Sequence, residues 1–232
     1  MTAPASVRHD DGPVVCFITD EAVDLERTLS IVRAAALALG PRRLLVQLRD
    51  KENGPVVIRN AATALRAVTR SVEALFVVNG ATTIAHEVGA DGVHMPWDRG
   101  GALGARIASA RRLLGEHIIV TAAVHDDEEV RAAVEGGATG VLVSPIYPVP
   151  GKGEARGAAA IAAAVAIGRA AASGAPLRVY ALGGVTAANA AECAAAGANG
   201  VAVIRSLYDA AARGGEAVSA AALALAAPFS RG

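Results

Sequence analysis

The chain has few aromatic residues and few cysteines. Aromatic side chains make up 3% of its 232 residues, whereas hydrophobic residues make up 53%. Any core therefore has to be built from closely packed Ala, Val, Leu and Ile. The two cysteines, Cys16 and Cys193, form no metal or disulfide motif. We expect both to be reduced residues of the core, as is usual in a cytoplasmic protein.

Long hydrophobic runs and an excess of charge of one sign are also lacking. No stretch reaches the ~18 uninterrupted apolar residues that a membrane helix needs, and the N-terminal MTAPASVRHDDGP has no apolar signal core. The formal net charge is zero and no basic patch is present, which argues against a nucleic-acid partner. We expect a cytoplasmic protein that binds neither membranes nor nucleic acids. The sequence leaves the oligomeric state open, a homodimer included.

Lysine is scarce as well, because only Lys51 and Lys152 accompany the arginines among the 22 basic residues. Lys152 lies in VLVSPIYPVPGKGEARG, residues 141–157, where an apolar run ends at Ser144 and a loop with three prolines follows. A lysine ammonium is a compact, mobile charge that suits phosphate oxygens, whereas arginine is a planar fork. Two lysines can occur at the surface by chance. Their position in the fold therefore has to show whether they have a functional role.

A turn motif recurs three times along the chain, as GADGVHM at 89–95, GATGVLV at 137–143 and GANGVAV at 197–203. Each copy follows a helical pattern and opens a β-branched run. The first glycine of each copy suits a left-handed helix C-cap. Helix, glycine turn and strand, repeated in this way, predict αβ winding around a parallel sheet.

The same alternation extends over most of the chain. Strands are predicted near 14–19, 44–48, 74–78, 91–94, 118–124, 139–143, 177–182 and 199–204. Helices are predicted at 24–39, 56–71, 80–88, 101–114, 126–136, 158–172, 186–196 and 205–213. This is the pattern of a single-domain (β/α)₈ TIM barrel.

The barrel is predicted to span residues 14–213, after a flexible N-terminal segment at 1–13 and before an Ala-rich helix or tail at 214–232. A doubly wound open sheet is the main alternative. That fold usually has a glycine-rich dinucleotide turn after its first strand, and FITDEAVDLE contains none.

A TIM barrel carries its active site at the carboxyl ends of its strands. The candidates at those ends are Gln47, Arg49, Lys51, Asn79, His94, His125, Ser144, Lys152, Gly183, Gly184, Ile204 and Arg205. Both lysines fall within this set. Polar groups are therefore expected to cluster on one face of the barrel.

Two parts of this set are typical of anion sites. Gly183-Gly184, followed by a short helix, lets the backbone approach a phosphate, and Ile204-Arg205 opens the next helix on the same side. Gln47, Arg49 and Lys51 alternate, so they share one face of a strand end and suit a diphosphate or carboxylate. The alternative for the second group is a solvated strand end in which Asp50 and Glu52 pair with the basic residues.

His125 is the candidate acid/base residue. It stands between an apolar strand and a helix that begins with four acids, of which Asp126 suits the N-cap. A histidine titrates near working pH and can move protons. His94 is expected to be a structural histidine. No metal-binding cluster is evident, because Asp20, Asp91 and Asp98 are scattered.

Seven ordered blocks, VQLRDK, VVN, GADGVH, AAVH, SPIYPVPGK, ALGGV and GANGVAVI, resemble the thiamine phosphate synthase family, which includes the TenI-type thiazole tautomerases. The resemblance extends from about Val14 to Leu207. It implies a (β/α)₈ barrel, a role in thiamin biosynthesis and a phosphorylated thiazole bound on the Gly-Gly side. It also implies that the loop after the sixth strand is a flap, whose lysine (here Lys152) contacts the phosphate or diphosphate of the substrate.

The match to the synthase itself is incomplete. The synthase joins a pyrimidine diphosphate to a thiazole phosphate with the help of Mg²⁺, and Gln47, Arg49, Lys51 and Asn79 match its substrate-binding positions. Its two magnesium aspartates align with Gly80 and Arg99, and Asp98 is only a weak stand-in. The synthase pattern has a serine two residues before the histidine, where this chain has Ala123. It also has a Thr-x-Thr before the flap lysine, where this chain has Val149-Pro150-Gly151.

These departures favour the tautomerase branch, which aromatises a thiazole carboxylate phosphate. The resemblance then implies His125 and Lys152 as catalytic residues, Ser144 as a substrate-binding residue, and no cofactor. The main alternative is the synthase, which would need Mg²⁺. A second alternative is a non-catalytic, phosphate-ligand-binding regulator on a degenerate synthase barrel. Another phosphate-binding barrel, such as a sugar-phosphate isomerase, would leave the seven blocks unexplained.

Overall fold

Eight parallel strands close into a barrel, in a computed structural model that describes residues 12–98, 100–171 and 176–230. The strands follow one another around the barrel in chain order, and β8 pairs with β1. They are β1 (Val15–Ile18), β2 (Leu44–Leu48), β3 (Leu75–Asn79), β4 (Gly92–Met95), β5 (Ile119–Val124), β6 (Gly140–Val143), β7 (Arg178–Leu182) and β8 (Gly200–Val203). The predicted (β/α)₈ barrel is confirmed.

A helix follows each strand. These helices are α1 (Leu25–Leu39), α2 (Pro55–Ser71), α3 (Thr82–Glu87), α4 (Leu103–Leu114), α5 (Asp127–Glu135), α6 (Gly157–Ala170), α7 (Ala190–Ala195) and α8 (Arg205–Ala211). A further helix, α9 (Gly215–Ala226), packs on α1 and α8 and ends in a 3₁₀ turn at Ala227–Phe229. Of the predicted N-terminal segment 1–13, residues 1–11 lie outside the described residues.

Local signals in the sequence explain where the helices begin and end. The side chain of Asp24 accepts a hydrogen bond from the backbone N–H of Arg27 (3.1 Å) and caps α1, while Pro55 occupies the first turn of α2. The glycines of the three recurring turns, at 89, 137 and 197, have φ of 61°, 87° and 94°. They adopt the left-handed conformation that the motif predicts.

Helix α7 is shorter than predicted. The pattern predicts a helix over 186–196, but α7 begins at Ala190. The side chain of Asn189 accepts from the backbone N–H of Thr186 (2.8 Å) and donates to the carbonyl of Gly184 (3.0 Å). These local bonds hold residues 184–189 in a turn, because an asparagine side chain can substitute for helical backbone partners.

Alternation along the strands divides the core into two layers. Inward-facing residues fill the barrel, and they include Cys16, Ile18, Leu45, Val77, Leu142 and Tyr180. Outward-facing residues pack against the helices. Burial raises the pKa of the Cys16 thiol to about 12, and both cysteines are free and buried, as the sequence predicts.

This alternation also determines which residues reach the mouth of the barrel. Two positions beyond Leu45, Val77 and Leu142 lie Gln47, Asn79 and Ser144, which therefore share the inward face. Within the described ranges, no helix has the length and apolar composition needed to cross a membrane.

Candidate active site

His125 and Ser144 come together at the mouth of the barrel. They follow the neighbouring strands β5 and β6, whose register pairs Val124 with Val143. Nε2 of His125 lies 3.5 Å from Oγ of Ser144, and the imidazole side chain is 40% exposed. A hydroxyl and an accessible imidazole at this distance can exchange a proton when a substrate tightens the site.

Glu129, which the sequence analysis did not identify, lies on the other side of the imidazole. One carboxylate oxygen, Oε2, is 3.4 Å from Nδ1 of His125 and accepts a hydrogen bond from the backbone N–H of the same residue (2.6 Å). The other oxygen, Oε1, accepts from the indole N–H of Trp97 (2.7 Å). The ring of Trp97 also meets the ring of His125 edge-on, with centroids 5.6 Å apart.

The start of α5 places Glu129 in this position. As predicted, Asp126 is the N-cap residue, and its side chain accepts a hydrogen bond from the backbone N–H of Glu129 (2.8 Å). The Asp-x-x-Glu spacing is a recognised capping pattern. That spacing was the signal in the sequence that could have identified Glu129, whereas no sequence pattern links Trp97 to it.

His94 is a buried structural histidine, as expected. Its Nδ1 lies 2.9 Å from Oγ1 of Thr121. Burial, with a smaller contribution from the positive charge of Arg106, lowers the pKa of His94 to about 3. The imidazole is therefore neutral at working pH, and it sits beside Asn79 in the register of β3 and β4.

Positive charges from the β2–α2 loop and from the β6–α6 loop lie near one another. The pKa of Lys152 lies below its ordinary value because the ammonium is partly desolvated, although the residue as a whole is exposed, and because Arg49 and Lys51 are positively charged neighbours. Gln47 is 2% exposed, and its Oε1 has no hydrogen-bond partner. This grouping can bind an anion with several charges.

The expected alternative, in which Asp50 and Glu52 pair with these basic residues, is wrong. Asp50 instead accepts hydrogen bonds from the side chain of Asn53 (2.9 Å) and from the backbone N–H of Glu52 (3.1 Å). The acidic partner of Arg49 is Glu21, at 3.2 Å. Lys51 is exposed and forms no ion pair within the described residues.

A cavity of about 330 Å³ lies between the β6–α6 loop and the ends of β7 and β8. Its lining includes the predicted phosphate-binding residues and the flap lysine, namely Lys152, Gly183, Gly184, Ile204 and Arg205. Arg205 and Ser206, in the first turn of α8, line this cavity. The structure thus places together residues that the sequence assigns to one phosphate site.

The β6–α6 loop itself explains the two glycines. A Cβ on Gly183 would lie 2.9 Å from Cα of Pro145, and one on Gly184 would lie 2.7 Å from Cβ of Tyr147. Both glycines have positive φ, 94° and 67°. The loop packs directly on their backbone, which is a reason for Gly-Gly that the sequence analysis did not foresee. The predicted helix start directly after Gly-Gly is wrong, since α7 begins at Ala190.

A second cavity, of about 320 Å³, lies beside His125 on the β4 side and is lined by residues that include Trp97, Asp98, Arg106, Glu128 and Glu129. Asp98 is 3.8 Å from Arg106, accepts a hydrogen bond from the backbone N–H of Gly100 (3.1 Å) and has a 56% exposed side chain. Its carboxylate thus already has one partner in the β4–α4 loop and one in α4.

At the positions where the family pattern has its magnesium aspartates, these residues offer a Mg²⁺ ion one nearby carboxylate, that of Asp98. A hard divalent cation needs several oxygen ligands, usually with one or two carboxylates. Across residues 12–98, 100–171 and 176–230, no group of three or more His, Cys, Asp or Glu side chains could hold a metal. Gly80 supplies no ligand, Asp98 is paired with Arg106, and Arg99, the predicted replacement for an aspartate, lies outside the described residues.

The fold and the site together define a class of protein. In (β/α)₈ barrels the active site is built from the loops at the carboxyl ends of the strands. Here those loops bring a histidine, a hydroxyl and a carboxylate together, and the β6–α6 loop contributes a lysine to a cavity at the ends of β7 and β8. These features are those of a barrel enzyme.

Comparisons with known proteins identify the family. The profile of the family described as thiamine monophosphate synthase matches residues 15–207. The chain belongs to this family. A protein of Methanoculleus marisnigri named thiamine-phosphate synthase is 39% identical over 188 residues, which cover 81% of this chain and 83% of the relative.

Two further relatives support the same assignment. A thiamine-phosphate synthase of Chromobacterium violaceum is 37% identical over 215 residues, covering 91% of this chain and 94% of the relative. Among solved structures, thiamine phosphate pyrophosphorylase from Pyrococcus furiosus superimposes with a TM-score of 0.72 at 25% identity. The match covers 95% of this chain and 96% of the other.

Proposed function

We propose that the protein binds a phosphorylated thiazole of thiamin biosynthesis at the mouth of its barrel and tautomerises it, with His125 as the acid/base. The observation that carries the proposal is the contact of Nε2 of His125 with Ser144 (3.5 Å), opposite Glu129 at Nδ1 (3.4 Å). A group that takes a proton from one carbon and returns one to another must be accessible and held in one orientation. His125 meets both requirements.

Neighbouring residues have definite roles in this reaction. The phosphate of the thiazole would occupy the cavity at Gly183-Gly184, with the ammonium of Lys152 at its rim. The ring carboxylate would face Arg49 and Lys51, whose charges act on the same lysine. His125 would then remove a proton from the ring and return one at the second carbon, which makes the ring aromatic.

The second candidate is thiamine phosphate synthesis from a pyrimidine diphosphate and a thiazole phosphate. Two observations favour it. Relatives with 35–40% identity carry the name thiamine-phosphate synthase, and Arg49, Lys51 and Lys152 would also suit a diphosphate. The lack of a fitting magnesium site in the described residues argues against it. A non-catalytic phosphate-ligand-binding regulator would keep the cavity but have no turnover.

Paired assays on the purified protein distinguish these candidates. One assay follows aromatisation of the thiazole carboxylate phosphate, and the other follows formation of thiamine phosphate with and without Mg²⁺. The proposal predicts turnover in the first assay without metal. Magnesium-dependent thiamine phosphate with no aromatisation would overturn it in favour of the synthase. Phosphate binding without turnover in either assay would favour the regulator.

A further inference from the structure

We propose that Glu129 is the positioning residue of His125 and that Trp97 holds Glu129 in that role. The catalytic consequence rests on the proposed function, but the orientation of the imidazole does not. Neither Glu129 nor Trp97 lines the cavity at Gly183-Gly184, and both line the second cavity beside His125. Both residues act through His125.

A single carboxylate oxygen of Glu129 contacts both the backbone and the ring of His125. Oε2 of Glu129 accepts the backbone N–H of His125 at 2.6 Å and lies 3.4 Å from Nδ1 of its ring. A carboxylate beside Nδ1 favours the tautomer that carries its proton on that nitrogen. The lone pair of Nε2 then points toward Ser144, as a proton acceptor at the mouth of the barrel must.

The carboxylate of Glu129 is itself held by two hydrogen bonds. Its side chain is 24% exposed, and a glutamate in solvent would rotate among several rotamers. Here Oε1 accepts the indole N–H of Trp97 at 2.7 Å, while Oε2 is bound to the backbone of His125. Because each oxygen accepts a hydrogen bond from a different residue, Trp97 or His125, the carboxylate is fixed in one orientation.

Trp97 lies in the loop between β4 and α4. It belongs to PWDR, residues 96–99, the segment where the synthase pattern has its second magnesium aspartate and this chain does not. The β4–α4 loop thus supplies an indole donor to the carboxylate beside the acid/base. We infer that in this chain the loop serves proton transfer by orienting His125.

The experiment compares Glu129→Gln with Glu128→Gln, because Glu128 is the adjacent exposed acid on the same helix and has no bond to His125 or Trp97. Nitrogen-15 NMR of the imidazoles reports the tautomer, and His125→Gln identifies the resonances of His125. In the wild type and in Glu128→Gln, the neutral ring of His125 should carry its proton on Nδ1. Glu129→Gln should shift His125 toward the Nε2–H tautomer, and Trp97→Phe should give an intermediate shift.

Kinetics supply an independent readout. Glu129→Gln should lower kcat for aromatisation by about tenfold, with KM within about twofold, since orientation of the base is lost while substrate contacts remain. Glutamine is also accepted in the capping pattern, so α5 should still form. The proposal is overturned if Glu129→Gln and Glu128→Gln give the same tautomer. If the wild type does not aromatise the thiazole, the proposed function fails while the NMR comparison still decides the role of Glu129.

Discussion

The hydroxyl of Ser144 lies 3.5 Å from Nε2 of His125, and the two residues follow neighbouring strands of the barrel. The backbone N–H of Ser144 donates to the carbonyl of Val124 (3.2 Å), which continues the pairing of β5 with β6 beyond the last strand residues. The pair therefore rests on the rigid sheet, whereas Glu129 and Trp97 contribute from a helix and a loop.

Replacing Ser144 with alanine should lower activity without unfolding the protein. The change removes the partner of Nε2 but keeps the backbone bond to Val124, so we expect kcat to fall by about three- to tenfold with an unchanged melting temperature. Steady-state kinetics and thermal melts measure the two effects. Ser30→Ala, on the exposed face of α1, is the matched control. An unchanged kcat in Ser144→Ala would contradict a role for the contact.

Anion binding should weaken at high pH as Lys152 loses its proton. Burial and the charges of Arg49 and Lys51 place the pKa of Lys152 below its ordinary value, so affinity should fall as pH rises through that lowered pKa. Removing Arg49 removes one repelling charge and should move the fall to higher pH. Titration calorimetry with inorganic pyrophosphate between about pH 7.5 and 10.5 measures both curves.

The control for this prediction is Arg112→Gln, at the exposed end of α4, which should leave the pH dependence of binding unchanged. The same midpoint in the wild type and in Arg49→Gln would show that the charge of Arg49 does not act on Lys152. Loss of pyrophosphate binding in Lys152→Ala is expected in either case.

Alanine at Gly184 should destabilise the protein more than alanine at Gly101. Both glycines have positive φ, 67° and 70°, so both variants carry a backbone strain of about 1 kcal/mol. Only at Gly184 does the new Cβ meet a neighbour, 2.7 Å from Cβ of Tyr147. That overlap should cost roughly 1–3 kcal/mol more in the free energy of unfolding. Urea denaturation of both variants is the measurement, and equal losses would show that the loop does not rest on Gly184.

Stability should decrease on acidification because of His94. Its folded-state pKa is about 3, below the unfolded value of ~6.5, so the unfolded state takes up the proton first. The stabilisation is complete above pH ~6.5 and is lost below it, at up to about 1.4 kcal/mol per pH unit. The test is to measure the free energy of unfolding of the wild type and of His94→Gln at about pH 7.5, 6.5 and 5.5. The difference between the two proteins reports the contribution of His94 at each pH.

The wild type should lose stability faster than His94→Gln as the pH falls, because only the wild type carries a buried imidazole that must stay neutral. His117→Gln, which removes an exposed histidine after α4, should behave like the wild type. Parallel curves for the wild type and His94→Gln would mean that the neutral state of His94 is not maintained by burial.

Regular patterns in the sequence were sufficient to predict the barrel. Apolar runs and glycine turns locate the strands within one or two residues, and alternation places Gln47, Asn79 and Ser144 at the mouth. Local side-chain bonds were not predictable in the same way. The bonds of Asn189 to Thr186 and Gly184 shorten α7, although a helical pattern of alanines extends through that region.

The parts of the site that the sequence did not reveal depend on contacts between distant loops. Trp97 reaches Glu129 from the β4–α4 loop, and Tyr147 of the β6–α6 loop rests on Gly184. Neither contact follows a helical or strand period, because loop conformation fixes it. The individual candidates His125, Lys152 and Gly183-Gly184 could be named from strand ends, but their neighbours required the fold.

The most direct test of the central claim is an assay for aromatisation of the thiazole carboxylate phosphate without added metal. It compares the wild type with His125→Gln and His117→Gln. The account predicts turnover by the wild type and His117→Gln, and a loss of at least about a hundredfold in His125→Gln with phosphate binding retained. Equal turnover in His125→Gln and the wild type would contradict it, as would a wild-type protein that binds the substrate and leaves it unchanged.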